Sequence, residues 1–173
     1  MANSSEQLSQ ALEKVSSENL KQVAEGIQAA AQIESEGISF YGKQAEKFGE
    51  SQTGSFFKFL QGQEEEHLKA IGELKQALEE KGDWVEPKLS KPEKKMFSKK
   101  DWDKENSEGI TAILFALWKE KQAREFYEGI ASRIKNDGAK KFFLALAEFE
   151  KGHAEMLEEF VEDSYHTSEL IMG

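Results

Sequence analysis

Apolar residues recur at steps of three and four along most of the chain, the period of an amphipathic helix and not of a strand. Four stretches carry that pattern, and Gly or Asn residues punctuate them. The first runs over about 17–48 and stops at Gly49, and the second runs over 53–81 and stops at Gly82. The third starts near Ser107 and fades at 136–138, and the fourth continues to about Asp163. A tail at 164–173 follows, with His166 beyond the last apolar repeat. Ahead of all four, 5–15 predicts a short leading helix capped by Ser4 or Ser5.

The connections are unequal. Short Gly-containing turns join the first stretch to the second and the third to the fourth, so each pair predicts an antiparallel hairpin. Between the hairpins lies 82–106, with both prolines (Pro87, Pro92) and the aromatics Trp84, Phe97 and Trp102. A helix of about 30 residues is about 45 Å long. Extended chain covers roughly 3.3 Å per residue, so this segment can cross that distance. The expectation is a single all-α domain over 1–173: an antiparallel four-helix bundle of two hairpins (17–81 and 107–163) joined by one end-to-end crossover. The crossover's aromatics would pin it to the bundle.

Composition narrows the function classes. The 173 residues hold 23 Lys plus Arg against 33 Asp plus Glu, a net charge of −10 that argues against nucleic acid as a partner. The Lys-rich part of the crossover, 88–104, carries a local charge of +4 and reads as a solvated loop. With no Cys there is no disulfide, thiolate nucleophile or iron–sulfur cluster. No basic start with an apolar run and no long apolar stretch is visible, so the expectation is a cytoplasmic protein with no membrane partner.

Shifted by 86 positions, the two hairpins superimpose without a gap. Glu34 falls on Glu120, Phe40–Tyr41 on Phe126–Tyr127, Phe56–Phe57 on Phe142–Phe143, Glu64 on Glu150 and His67 on His153. The apolar stripes then place polar residues inside. The first reads Ile27, Ala31, Glu34, Ile38, Tyr41, and the second Phe57, Leu60, Glu64, His67, Ile71. The third reads Ile113, Leu117, Glu120, Arg124, Tyr127, and the fourth Phe143, Leu146, Glu150, His153, Leu157. Four carboxylates and two imidazoles thus face inward near mid-helix. Unpaired, each buried carboxylate costs several kcal/mol or takes up a proton. Arg124 is the only basic residue on these stripes and cannot neutralise four acids. Two divalent cations would, and mixed imidazole and carboxylate ligands suit iron, manganese or zinc rather than calcium. The i, i+3 spacing of Glu64–His67 and Glu150–His153 lets each pair reach one centre.

Glu34 with Tyr41, then Glu64-Glu65-Glu66-His67, and again Glu120 with Tyr127, then Glu150-Lys151-Gly152-His153, resemble the ferritin-like di-iron carboxylate superfamily, and the rubrerythrin family most closely. The resemblance implies two iron ions held by Glu34, Glu64, His67, Glu120, Glu150 and His153, with iron–zinc, manganese or zinc as alternatives. It implies that Glu64 and Glu150 bridge the metals, that Glu34 is terminal with His67, and that Glu120 is terminal with His153. It places Tyr41 and Tyr127 behind the ligands as hydrogen-bond donors. The stripe position of Arg124 leaves two readings, a stem that snorkels past the metal site to the surface or an electrostatic part at the site. The sequence departs from typical rubrerythrins in lacking a Cys-rich rubredoxin module. It also has Leu117 and Ala123 where a further Glu would stand, one turn either side of Glu120, which brings the ligand set nearer to that of bacterioferritin.

By resemblance the expected function is a di-iron oxidoreductase that reduces peroxide or O2, with electrons from a separate donor protein such as a rubredoxin. The expected assembly is a homodimer. The alternatives are oxidation of iron for storage or transfer, and a structural bundle with a redox-inert metal pair.

Overall fold

The computed structural model describes residues 20–81 and 107–172, which form four helices: α1 (Leu20–Phe48), α2 (Gln52–Lys81), α3 (Ser107–Arg133) and α4 (Asp137–Met172). The expected leading helix over 5–15, and the crossover over 82–106 with its three aromatics and its basic stretch, lie outside the described residues. No strand occurs among the described residues, and the protein is an all-α four-helix bundle.

Local chemistry sets both hairpin turns. Gly49 adopts φ 57°, the left-handed conformation that glycine takes without steric cost, and its N–H donates to the Ala45 carbonyl at 2.9 Å. Ser51 then caps α2 by accepting from the Gly54 N–H at 3.1 Å. A Cβ at position 54 would sit 2.1 Å from the Gly49 carbonyl oxygen, so the tight turn requires glycine there too. In the second hairpin Asn136 does not simply end α3. It caps α4, its Oδ1 accepting from the Ala139 N–H at 2.9 Å. The fourth helix also runs on to Met172, past Asp163 where the apolar period ends. No Gly or Pro stands between those residues to stop it.

α1 packs along α2 and α3 along α4, and the two hairpins meet through α1 and α3. Lys47 pairs with Glu108 at 2.5 Å at one end, while Gly26 faces Ile130 at the other, so α1 and α3 run antiparallel. Lys81 and Ser107 therefore lie at opposite ends of the bundle, as an end-to-end connection requires. Two apolar clusters fill the interior. One joins Ile27, Ile71, Leu74, Tyr127, Phe142, Phe143 and Leu146, and the other joins Tyr41, Phe56, Phe57, Leu60, Ile113, Leu157 and Phe160. The repeat relates them: Tyr41 lies on Phe57 with centroids 6.0 Å apart, and Tyr127 on Phe143 at 6.3 Å. Between these two layers, at mid-bundle, lies a polar cluster.

Candidate metal centre

Each helix contributes to that cluster from its middle. α1 supplies Glu34, α2 supplies Glu64 and His67, α3 supplies Glu120, and α4 supplies Glu150 and His153. All six are buried, Glu34 and His153 completely. Their register follows from the heptad-like steps of the stripes, which carry a polar residue inward wherever it replaces an apolar one.

The arrangement has a specific logic around two imidazole nitrogens. His67 Nδ1 lies 3.5 Å from Glu34 Oε2, 3.5 Å from Glu64 Oε2 and 3.2 Å from Glu150 Oε1. His153 Nδ1 lies 3.1 Å from Glu120 Oε2, 3.4 Å from Glu64 Oε1 and 3.5 Å from Glu150 Oε2. Glu64 and Glu150 thus each turn one oxygen to each histidine, while Glu34 and Glu120 each serve one. The rings themselves stack, with centroids 5.3 Å apart. Two overlapping groups result, Glu34–Glu64–His67–Glu150 and Glu64–Glu120–Glu150–His153, in each of which the donor atoms lie within 4.8 Å of one another.

The tyrosines act across the hairpins. Tyr41 of the first hairpin donates to Glu120 Oε1 of the second, and Tyr127 of the second donates to Glu34 Oε1 of the first. Each tyrosine therefore fixes one oxygen of a carboxylate and leaves the other, Oε2, turned to a histidine. Arg124 is not part of the cluster. It is partly exposed and pairs with Glu128 at 2.8 Å. On α3 the buried line passes through Ala116, Glu120, Ala123 and Tyr127, and the long arginine stem carries its charge outward to solvent and a partner. An electrostatic part for Arg124 at the centre is thereby corrected.

Burial and proximity redistribute the protons. Burial and the nearby charges of Glu64 and Glu150 push Glu34 well above the usual carboxylate range, and burial and Glu150 do the same to Glu120. Burial also works to raise Glu64 and Glu150. Their polar neighbours outweigh it: Glu34, His153 and His67 leave Glu64 well below its ordinary value, and Glu120, His153 and His67 bring Glu150 down to about 2. Burial would lower both histidines, but their carboxylate partners outweigh it and raise them well above the ordinary value. Tyr127 is raised by burial and by the Glu34 charge, so it remains a donor. Protons in the cluster are thus held more tightly than usual by Glu34, Glu120 and the two imidazoles, and less tightly by Glu64 and Glu150.

Hydrogen bonding within the cluster is incomplete. Glu34 Oε2, Glu64 Oε1, His67 Nδ1, Glu150 Oε1 and His153 Nε2 are buried without a hydrogen-bond partner. Four of these five atoms point at one another around the two histidine Nδ1 positions. Unpartnered buried oxygen and nitrogen atoms gathered at two adjacent points fit two cations once their protons are displaced, and the mixed set suits a first-row transition metal.

A four-helix bundle of two hairpins, with a Glu on α1 and on α3 and a Glu-x-x-His on α2 and on α4, defines the ferritin-like class of carboxylate proteins. Within it, the family model for rubrerythrin matches residues 25–161, and this chain belongs to the rubrerythrin family. The match includes no rubredoxin domain. No curated protein and no solved structure gives a match. Among the described residues no helix is long and apolar enough to cross a membrane.

Sequence reading missed one surface feature. Among the described residues the exposed large hydrophobics are Leu114, Phe115, Trp118 and Leu144, all in the second half of the repeat. The signal was available by comparing the halves, because the matching positions in the first are Gln28, Ala29, Gln32 and Lys58.

Proposed function

We propose that the chain is a dinuclear non-haem iron oxidoreductase that reduces peroxide or O2 with electrons from a separate donor protein. The observation that carries this reading is the sharing of Glu64 and Glu150 between the two histidines, which supports two metal positions rather than one. Glu34 and His67 would complete one position, and Glu120 and His153 the other. When bound, the iron pair supplies two electrons at adjacent centres to an oxygen–oxygen bond.

The protein's own residues do the rest. Tyr41 and Tyr127 orient the two terminal carboxylates, so that metal loading requires little reorganisation of Glu34 or Glu120. The phenylalanine layers above and below exclude bulk water, which strengthens electrostatics at the centre. Glu34, Glu120 and the two histidines hold protons more tightly than usual and must give them up to become ligands, so metal uptake is linked to proton release.

The test starts from protein loaded anaerobically with Fe(II). Mixing with excess hydrogen peroxide should oxidise the ferrous centre rapidly, and an unchanged ferrous signal would defeat the oxidoreductase reading. The second reading, oxidation of iron for storage or transfer, has its support in Leu117 and Ala123, which leave the six-ligand set symmetric. Faster oxidation by O2 than by peroxide, with iron then leaving the centre, would favour it. Inertness to both oxidants in protein that still binds zinc would indicate a structural metal pair.

A further inference from the structure

Glycine inside a helix is unfavourable, because that residue loses more conformational freedom on folding than any other. Gly37 nevertheless stands inside α1, one turn after Glu34 and buried. No turn requires it, since the glycine with a positive φ among the described residues is Gly49. Its neighbour supplies the reason. A Cβ at position 37 would lie 3.2 Å from Glu64 Cγ, 3.4 Å from Cδ and 3.6 Å from Oε2. Carbon atoms in favourable contact sit about 3.5–4.0 Å apart, so the Glu64 stem would have to move.

Glu64 has little room to yield. It is 3% exposed, and both its oxygens are engaged, Oε2 at 3.5 Å from His67 Nδ1 and Oε1 at 3.4 Å from His153 Nδ1. A displaced stem carries the carboxylate away from both histidines at once. Other helical glycines provide the contrast. A Cβ at Gly42, on the same α1–α2 seam, would meet Gln61 at 3.3 Å. What it meets there is the amide end of a half-buried side chain that bonds to Glu65, and that end can swing aside. Gly62, Gly72 and Gly129 face nothing within 4 Å. Among these glycines only Gly37 is opposed by a member of the polar cluster. The repeat-related position on α3 is Ala123, so α3 carries a methyl where α1 carries none.

On the dinuclear reading above, we propose that Gly37 is a positioning residue for the shared carboxylate. By omitting a Cβ, α1 lets the Glu64 stem lie against its backbone, and that contact sets the carboxylate where both histidines share it. One helix thus supplies a terminal ligand, Glu34, and also shapes the ligand common to both metal positions.

Gly37→Ala separates this role from packing. In chelated protein the better helix propensity of alanine offsets the displacement of one side chain, so helicity should be kept and the melting midpoint should stay within about 4 °C of wild type. Zinc titration should show one of the two ions bound about 10–100-fold more weakly, the range typical of residues that orient ligands. The visible absorption of the cobalt(II)-loaded protein, which reports ligand geometry, should change as well. Gly42→Ala and Gly72→Ala should bind both ions as the wild type does. A double-mutant cycle covers poor folding of the single variant. Glu64→Ala removes the opposed side chain, so adding Gly37→Ala to it should raise the chelated midpoint by about 2–4 °C. Unchanged binding and an unchanged cobalt spectrum in Gly37→Ala would overturn the proposal. So would an equal loss of binding in Gly42→Ala, or a Gly37→Ala change that destabilises the chain equally with and without Glu64. A wild type that takes up fewer than two ions would overturn the dinuclear reading itself and this inference with it.

Discussion

Glu64→Ala is expected to bind at most one dication tightly, where the wild-type chain binds two. Glu64 turns Oε2 to His67 and Oε1 to His153, so its loss removes a donor from both metal positions at once. Glu34→Ala serves as the contrast. Glu34 faces His67 alone, so that variant should lose one position and keep the one built on Glu120 and His153. The affinity lost with a direct ligand should exceed the roughly 10–100-fold typical of losing a residue that only orients one. Zinc or Fe(II) titration of each variant, with helicity as a control, measures the difference. Two tightly bound ions in Glu64→Ala would show that this carboxylate bridges nothing.

Chelation should lower the thermal midpoint by about 10 °C or more at neutral pH. Ions held at about 100 times their dissociation constant stabilise a fold by about 2.7 kcal/mol per site. In a domain of this size each kcal/mol moves the midpoint by about 2–4 °C. The gap should also widen with pH. Glu34 and Glu120, raised in the folded state, keep protons that the unfolded chain releases above their ordinary value of 4.5. His67 and His153 keep theirs above the ordinary 6.5. These four groups contribute stability that is fully present below those unfolded values and is lost as pH rises through the folded ones. Glu64 and Glu150 act oppositely. Their contribution is present above 4.5 and is lost as pH falls, for Glu150 toward about 2. The chelated protein should therefore melt at progressively lower temperature from pH 5 to pH 8. Metal loading becomes more favourable over the same interval, because its ligands must be deprotonated. Scanning calorimetry with and without chelator reads both trends. A gap that stays constant or narrows with pH would contradict the proton exchange.

The contrast between Glu34 and Arg124 shows what was legible in the sequence. Both fall on apolar stripes at helical spacing, yet Glu34 is fully buried and Arg124 pairs with Glu128 at the surface. A short carboxylate has no route past its neighbours, whereas a long cationic stem at the edge of a stripe reaches water. Periodicity locates a position to within about one residue on the helix surface and does not say where a flexible side chain ends. The Glu-x-x-His pairs were readable because they occur twice at one offset. That Tyr41 serves Glu120 and Tyr127 serves Glu34 was not, because it depends on how the hairpins face each other. The exposed Phe115 and Trp118 were hidden for a related reason: steps of three and four also describe them, and only burial separates an outward apolar stripe from an inward one. The last turns of α4 were missed because helices continue on propensity after their apolar period ends.

Metal stoichiometry of the wild-type chain tests the central claim most directly. Protein stripped with chelator, desalted and titrated anaerobically with Fe(II) should take up two ions per chain, and both should be lost together when Glu64 and Glu150 are replaced. Saturation at zero or one ion, or two ions retained without those two carboxylates, would show that the buried acids of this bundle serve some other end.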